Sequence, residues 1–296
     1  MSKNVDITSL NETDSIKVLF AENAGLVFQS FNPNVVEEVL KNTKIPYHII
    51  GHAVEGDFVK VKNGSWTNDF HIAQLRDIWF ETSYLLDKKQ SGDTQATLRF
   101  DNYKNQPLNF KFSQDFSGLK PNYSGKRPIA AVLREKGSNS EREMANALYL
   151  AGFDVKDVHM TDLISGREDL TKVQMIAAVG GFSNSDVLGS AKGWAGAFLY
   201  NEKANKALND FFAREDTLSL GVCNGCQLFI ELGLINPEHE EKPKMLHNDS
   251  HKFECNFTSV SIQENNSVML GSLAGNTLGI WAAHGEGKFH LPYNEQ

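Results

Sequence analysis

Residues 218–233 read LSLGVCNGCQLFIELG, and this stretch decides the fold. LSLGV is a short apolar run of the kind a buried parallel strand shows. CQLFIELG follows at once with apolar residues at helical spacing. Between them stands Cys223, with Gly221 two residues before it and Gly225 two residues after. A strand that ends in Gly-x-Cys-x-Gly and turns directly into a helix is a nucleophile elbow with sulfur in place of oxygen. The glycines let strand and helix approach. The thiol sits at a helix N-terminus, whose partial positive charge favours the thiolate. The backbone N–H of Asn224 is left free to donate to an oxyanion.

The same pattern extends on the N-terminal side. PIAAVL (128–133) is a second buried strand, and Ser140 is placed to cap a helix that reaches Ala151 and stops at Gly152. VKDVHM (155–160) and MIAAVGG (175–181) follow as strands, then helices through Trp194 and Phe211-Phe212. Strands alternating with helices predict an α/β fold, an open and mostly parallel sheet flanked by helices, with ligands at the carboxyl ends of its strands. Gly180-Gly181 lies at such an end, so the backbone of Gly181 is the natural second half of an oxyanion hole with Asn224. Arg134 and Asn139, in the loop after the first of these strands, border the same edge.

Residues 1–90 read as a small α+β unit. IKVLF (16–20) and GLVFQS (25–30) predict two strands, and Asn32-Pro33 opens a helix. HIIGHAV (48–54) and FVKVKNG (58–64) predict a strand pair joined around Glu55-Gly56-Asp57. A helix from Ile72 to about Lys89 is too rich in Trp, Phe and Tyr for this segment to cover, which predicts an exposed apolar patch around Trp79, Phe80 and Leu86. Residues 91–126 are polar, carry Gly, Pro and Asn without a sustained period, and read as a linker; residues 127–296 form the main domain.

The chain of 296 residues carries 29 basic and 37 acidic side chains, a net charge of −8 that argues against binding nucleic acid or an anionic membrane. No apolar run approaches the roughly 18 residues of a membrane span, and the polar start MSKNVDITSLNETDS has no signal-peptide core. Three cysteines make no disulfide framework, which points to reduced thiols and a cytoplasmic protein. Cys223-x-x-Cys226 has redox spacing but lacks the usual setting. With His251 and Cys255 the pair also makes a set that could hold zinc; an elbow cysteine is aimed outward, so no metal is expected.

GVCNGCQ matches the G-x-C-x-G-x-Q motif, and the chain resembles the class I (triad) glutamine amidotransferases. VLREKGSNSEREMANAL, VGGFSNSDVLGSAKGWA, HNDSHKFE and AAHGEGKF are similar to the branch that serves phosphoribosylformylglycinamidine synthases. The likeness runs from Lys126 to Gln296. Upstream, KVLFAENAGLVFQS and LRDIWFETSYLLDKK are similar to the end of the synthetase portion in the long, single-chain members, so residues 1–90 are expected to be a remnant of that portion and the chain a piece of a larger polypeptide.

The resemblance implies a mechanism. Cys223 forms a thioester with glutamine, Gly181 and Asn224 hold the oxyanion, and Gln227, Asn248 and Ser250 lie near the glutamine pocket. Ammonia passes to the synthetase portion, which uses ATP and magnesium to amidate formylglycinamide ribonucleotide in purine biosynthesis. No cofactor is implied for the fragment itself. The family's base is a His-x-Glu pair in a Pro-His motif beyond the HGEG segment; this chain contains no Pro-His dipeptide and is expected to stop short of that pair and to lack turnover alone. His284 and Glu286 have the same spacing and lie near the site without that role. Asn184-Ser185 before Asp186 also departs from the usual Tyr-Gly. The rivals are another cysteine-elbow α/β hydrolase, such as a peptidase or protein-repair enzyme, and a non-catalytic zinc-binding or docking module.

Overall fold

The computed structural model describes residues 2–102, 108–114, 116–119 and 123–292, with backbone alone at Ser2 and Lys3. It falls into two units, Met1–Tyr103 and Lys104–Gln296.

In the first unit, β1 (Ser2–Asp6), β2 (Gly51–Val54), β3 (Phe58–Asn63) and β4 (Trp66–His71) form one sheet in the order β2-β1-β3-β4. The two expected strands around Glu55-Gly56-Asp57 exist but do not pair. β1 lies between them, antiparallel to β2 and parallel to β3. The sequence SKNVD carries no apolar alternation, so its pairing with partners some fifty residues away left no local trace. IKVLF is not a strand: α1 (Ser15–Leu19) forms there, capped by Asp14, whose carboxylate accepts from the N–H groups of Ile16 and Lys17. Residues 21–30 have no regular structure. α2 (Pro33–Asn42) starts at its proline as expected, although Val35 and Val39 are exposed.

α3 (Ile72–Asn102) corrects the expected linker. It breaks at Gly92, with φ 81° and ψ 162°, and the chain reverses there. Arg99 pairs with Asp87 at 2.7 Å, and Tyr84 stacks on Phe100 with centroids 4.4 Å apart. Residues 93–102 are therefore the second arm of a helical hairpin, and Ala96 is its buried contact. Ala96 and Phe100 already stand at helical spacing, but one pair is too short a run to outweigh the polar residues around it. Among the described residues of this unit only Ile7, Val61, Asn63 and Ala96 are buried, and Trp79, Phe80 and Leu86 are exposed as expected.

The second unit is built on a parallel sheet of β5 (Ile129–Arg134), β6 (Asp154–His159), β7 (Met175–Ala178) and β8 (Leu218–Gly221), in the order β6-β5-β7-β8. Alternate residues feed two cores. Ala131, Leu133, Ile176 and Ala178 face α5 (Met160–Ser165), α6 (Lys192–Leu199), α7 (Glu202–Phe212) and α8 (Asn224–Glu231), where Trp194, Phe198, Phe211 and Leu228 are fully buried. Ala130, Val132, Met175 and Ala177 face α4 (Glu141–Leu150) through Leu148. Each large apolar side chain so buried contributes about 1.5–3 kcal/mol. β8 is an edge strand and only half-buried, where LSLGV reads as buried: it has one neighbour in the sheet.

Two strand pairs complete this unit: β9 (Lys244–Leu246) with β12 (Lys288–His290), and the hairpin of β10 (Glu254–Ser261) with β11 (Thr277–His284). Phe110 packs on that hairpin beside Phe257, and Lys111 bridges to Thr277. No helix among the described residues is long and apolar enough to cross a membrane.

Candidate active site

β8 delivers the chain to Cys223, whose φ of 53° and ψ of −109° lie outside the comfortable regions for an L-residue. The flanking glycines show why this turn is possible. A Cβ on Gly221 would meet the Gly225 carbonyl oxygen at 2.7 Å, and one on Gly225 would meet the Ala178 carbonyl oxygen at 2.1 Å. α8 is thus pressed against β8 and β7, and the cysteine is pushed out of the turn. Cys223 is exposed, and its Sγ contacts the carbonyl oxygen of Ala283 at 3.5 Å.

The glycine loop after β7 lies beside it. A Cβ on Gly180 would stand 3.3 Å from the Cβ of Cys223. Asn139 N–H donates to the Gly180 carbonyl at 2.9 Å, and Phe182 N–H donates to the Gly137 carbonyl at 2.9 Å. This makes Ser138 and Gly181 a non-hydrogen-bonded antiparallel pair, so the Gly181 N–H turns away from the Glu135–Asn139 loop. Among the described residues neither the Gly181 nor the Asn224 N–H has an acceptor. Two unspent donors beside an exposed thiol are what an oxyanion hole requires.

Residues 184–186 are all left-handed, with φ of 54°, 58° and 53°. Asparagine tolerates that conformation better than most side chains. The loop is held by Asn184 N–H on the Lys136 carbonyl at 2.7 Å, and further on by Glu286. The Glu286 carboxylate accepts from the N–H and the hydroxyl of Ser190 at 2.7 and 2.6 Å and faces His247 at 3.3 Å. Burial raises the Asp186 carboxyl above its ordinary pKa, and the neighbouring Glu286 charge adds to this. Ser190 and His247 lie inside VGGFSNSDVLGSAKGWA and HNDSHKFE, but nothing in those stretches marks them as the partners of Glu286.

Gln227 and Asn248 come together around residues 284–287, and Ser250 shares the Lys252 carbonyl with Asn248; all three are buried, with their polar groups turned to the protein. The Gln227 amide bonds Asn224 at 2.8 Å and the Glu286 carbonyl at 2.9 Å. Asn248 donates to the carbonyls of His284 (2.7 Å) and Lys252 (3.1 Å), and its Oδ1 meets Nδ1 of His284 at 2.9 Å. The Ser250 hydroxyl donates to the Lys252 carbonyl at 3.5 Å. Asn139 abuts the glycine loop. Arg134 is occupied instead by a two-pronged pair with Asp157 at 2.6 and 2.9 Å.

Cys226 is half-buried, and desolvation, with Cys223 nearby, raises its thiol pKa. A raised pKa leaves less thiolate at neutral pH. Brief iodoacetamide treatment at pH 7 should therefore alkylate Cys223 ahead of Cys226, and ahead of Cys255, which is exposed but lies on a strand rather than at a helix end. Peptide mapping by mass spectrometry checks the order, and labelling of Cys226 first refutes the elbow assignment. Among the described residues no three His, Cys, Asp or Glu side chains are placed to hold a metal ion, so the Cys223, Cys226, His251 and Cys255 set is not assembled.

The parallel sheet and its cysteine turn define a cysteine-elbow α/β domain. Residues 127–296 match the model of the CobB/CobQ-like glutamine amidotransferase domain, and the chain belongs to that family. It is also similar to a probable phosphoribosylformylglycinamidine synthase, chloroplastic/mitochondrial, of Arabidopsis thaliana, at 39% identity over 98% of this chain and 21% of that protein. A phosphoribosylformylglycinamidine synthase of Dictyostelium discoideum is 35% identical over 93% of this chain and 22% of its own length. The chain thus spans about a fifth of the length of these relatives. Among solved structures, PurLQS from Thermotoga maritima is 26% identical, with a TM-score of 0.46 over 56% of this chain and 70% of that one.

Proposed function

We propose that residues 127–296 belong to the glutaminase part of a phosphoribosylformylglycinamidine synthase, the enzyme for which the Arabidopsis and Dictyostelium relatives are named. Cys223 Sγ attacks the side-chain amide carbon of glutamine, and the N–H groups of Gly181 and Asn224 hold the oxyanion. The carbon–nitrogen bond then breaks, and ammonia leaves carrying the thiol proton. Water cleaves the resulting thioester to glutamate. The ammonia serves a synthetase portion that uses ATP and magnesium to amidate formylglycinamide ribonucleotide; we assign both cofactors to that portion, and residues 1–90 to its end. The free cysteines favour a reducing compartment, the cytoplasm.

The pair of unspent N–H donors beside the exposed thiol carries this reading. A diazoketone analogue of glutamine tests it, because such a reagent alkylates a thiol only after it is held in a glutamine pocket. Saturable, stoichiometric labelling at Cys223 is expected, blocked by excess glutamine and absent in Cys223→Ser. Labelling that rises linearly with reagent, with no protection by glutamine, removes the glutamine pocket and returns the domain to another cysteine-elbow hydrolase.

A further inference from the structure

Behind the two oxyanion donors runs a chain of buried amides. Ser183 N–H donates to Oδ1 of Asn224 at 3.1 Å, Nδ2 of Asn224 donates to Oε1 of Gln227 at 2.8 Å, and Nε2 of Gln227 donates to the Glu286 carbonyl at 2.9 Å. Asn224 is 1% exposed and Gln227 7%. A backbone donor fixes one end and a backbone acceptor the other, so both amides have a single workable orientation. The relay joins three separate segments: the glycine loop two residues after Gly181, the first turn of α8, and the 284–287 segment. Glu286 is itself tied to the far end of the glycine loop through Ser190.

We propose that Asn224 and Gln227 are positioning residues that set the spacing of the two oxyanion donors, and that Gln227 does this instead of binding glutamine. Asn224 supplies one donor from its backbone and, with its side chain, holds the loop that supplies the other. An oxyanion donor works only where the developing charge appears, so a loop that drifts by a fraction of an ångström loses much of its effect. Buried and bonded at both ends, the relay is costly to leave half-made. The inference rests on the glutaminase reading above, and its test separates the two.

The full chain is compared with Asn224→Leu, Gln227→Met and Gln227→Glu in three measurements. These are the formation of γ-glutamyl thioester from an activated radiolabelled γ-glutamyl ester, whose leaving group needs no proton from the protein, alkylation of Cys223 by iodoacetamide, and hydrogen exchange over residues 180–187. Thioester formation at saturating ester should fall by about 10- to 100-fold. Half-saturation and the iodoacetamide rate should each stay within about threefold, since alkylation makes no oxyanion. The Ser183 amide should exchange on the order of tenfold faster. In Gln227→Glu the deficit relative to the parent at equal pH should shrink on acidification, as the protonated carboxyl regains a donor for the Glu286 carbonyl. That variant keeps the shape of Gln227 and carries the test should Asn224→Leu fail to fold. A raised half-saturation with an unchanged maximal rate makes Gln227 a binding residue and overturns the proposal. A parent that forms no thioester refutes the glutaminase reading instead, and the relay is then decided by exchange alone: an unchanged Ser183 amide refutes it.

Discussion

Gly225→Ala should cost the amidotransferase unit about 3 kcal/mol or more, at the upper end of what overpacking in a core does. The added methyl would stand 2.1 Å from the Ala178 carbonyl oxygen, 2.5 Å from its carbon and 2.8 Å from the Ala178 side chain. None of these atoms is the free end of a flexible side chain. α8 and β7 must move apart, and both line the buried core, where Leu228, Ile176 and Ala178 leave no slack. In a unit of this size the loss corresponds to a melting temperature lowered by about 6–12 °C. Gly233→Ala is the comparison: with φ at +69° and nothing within 4 Å, it carries backbone strain alone, about 1 kcal/mol. Calorimetry on the two variants checks the order. A Gly225→Ala protein that melts within 2 °C of the parent, a bound set by the same scaling of about 2–4 °C per kcal/mol, would show that the elbow is not tightly packed.

The contrast between the two units follows from how far each contact reaches along the chain. PIAAVL and MIAAVGG declare β5 and β7 because a strand buried on both faces has to be apolar throughout. Gly221, Cys223 and Gly225 declare the elbow because only glycine fits where backbone meets backbone. β1 was not legible: its five residues are mostly polar, and only its distant partners make it a strand. The turn at Gly92 was hidden for a related reason, since the second helical arm is fixed by Arg99 on Asp87 and Phe100 on Tyr84 rather than by its own periodicity. At the site, motif positions named the right neighbourhood and left the direction of each amide open. Gln227 and Asn248 stand where the motif puts them, yet their side chains face the protein's own backbone. A one-letter pattern records that an amide is required, not which partner it serves.

Glutamine turnover by this chain should be undetectable, and His284→Ala should leave that result and the rate of Cys223 labelling unchanged. His284 has one feature of a base: with Nδ1 donating to Asn248 at 2.9 Å, its Nε2 is left as the acceptor a thiol needs. Its carboxylate two residues on completes the expected spacing. Neither group meets the thiol. Cys223 Sγ meets the backbone oxygen of Ala283, and among the described residues no imidazole is hydrogen-bonded to it. The His284 ring instead lies over Gly287, where a Cβ would come within 2.1 Å of Nδ1. The Glu286 carboxylate is held by Ser190 and His247, so it cannot orient the His284 ring. A nucleophile that keeps its oxyanion donors but lacks its base loses on the order of 10⁴-fold or more in rate, while the covalent step with an activated analogue survives. Glutamate release measured over hours, beside stoichiometric analogue labelling, separates these. Steady glutaminase activity abolished by His284→Ala would make His284 the base and require its ring to swing from Asn248 to Cys223 when glutamine binds.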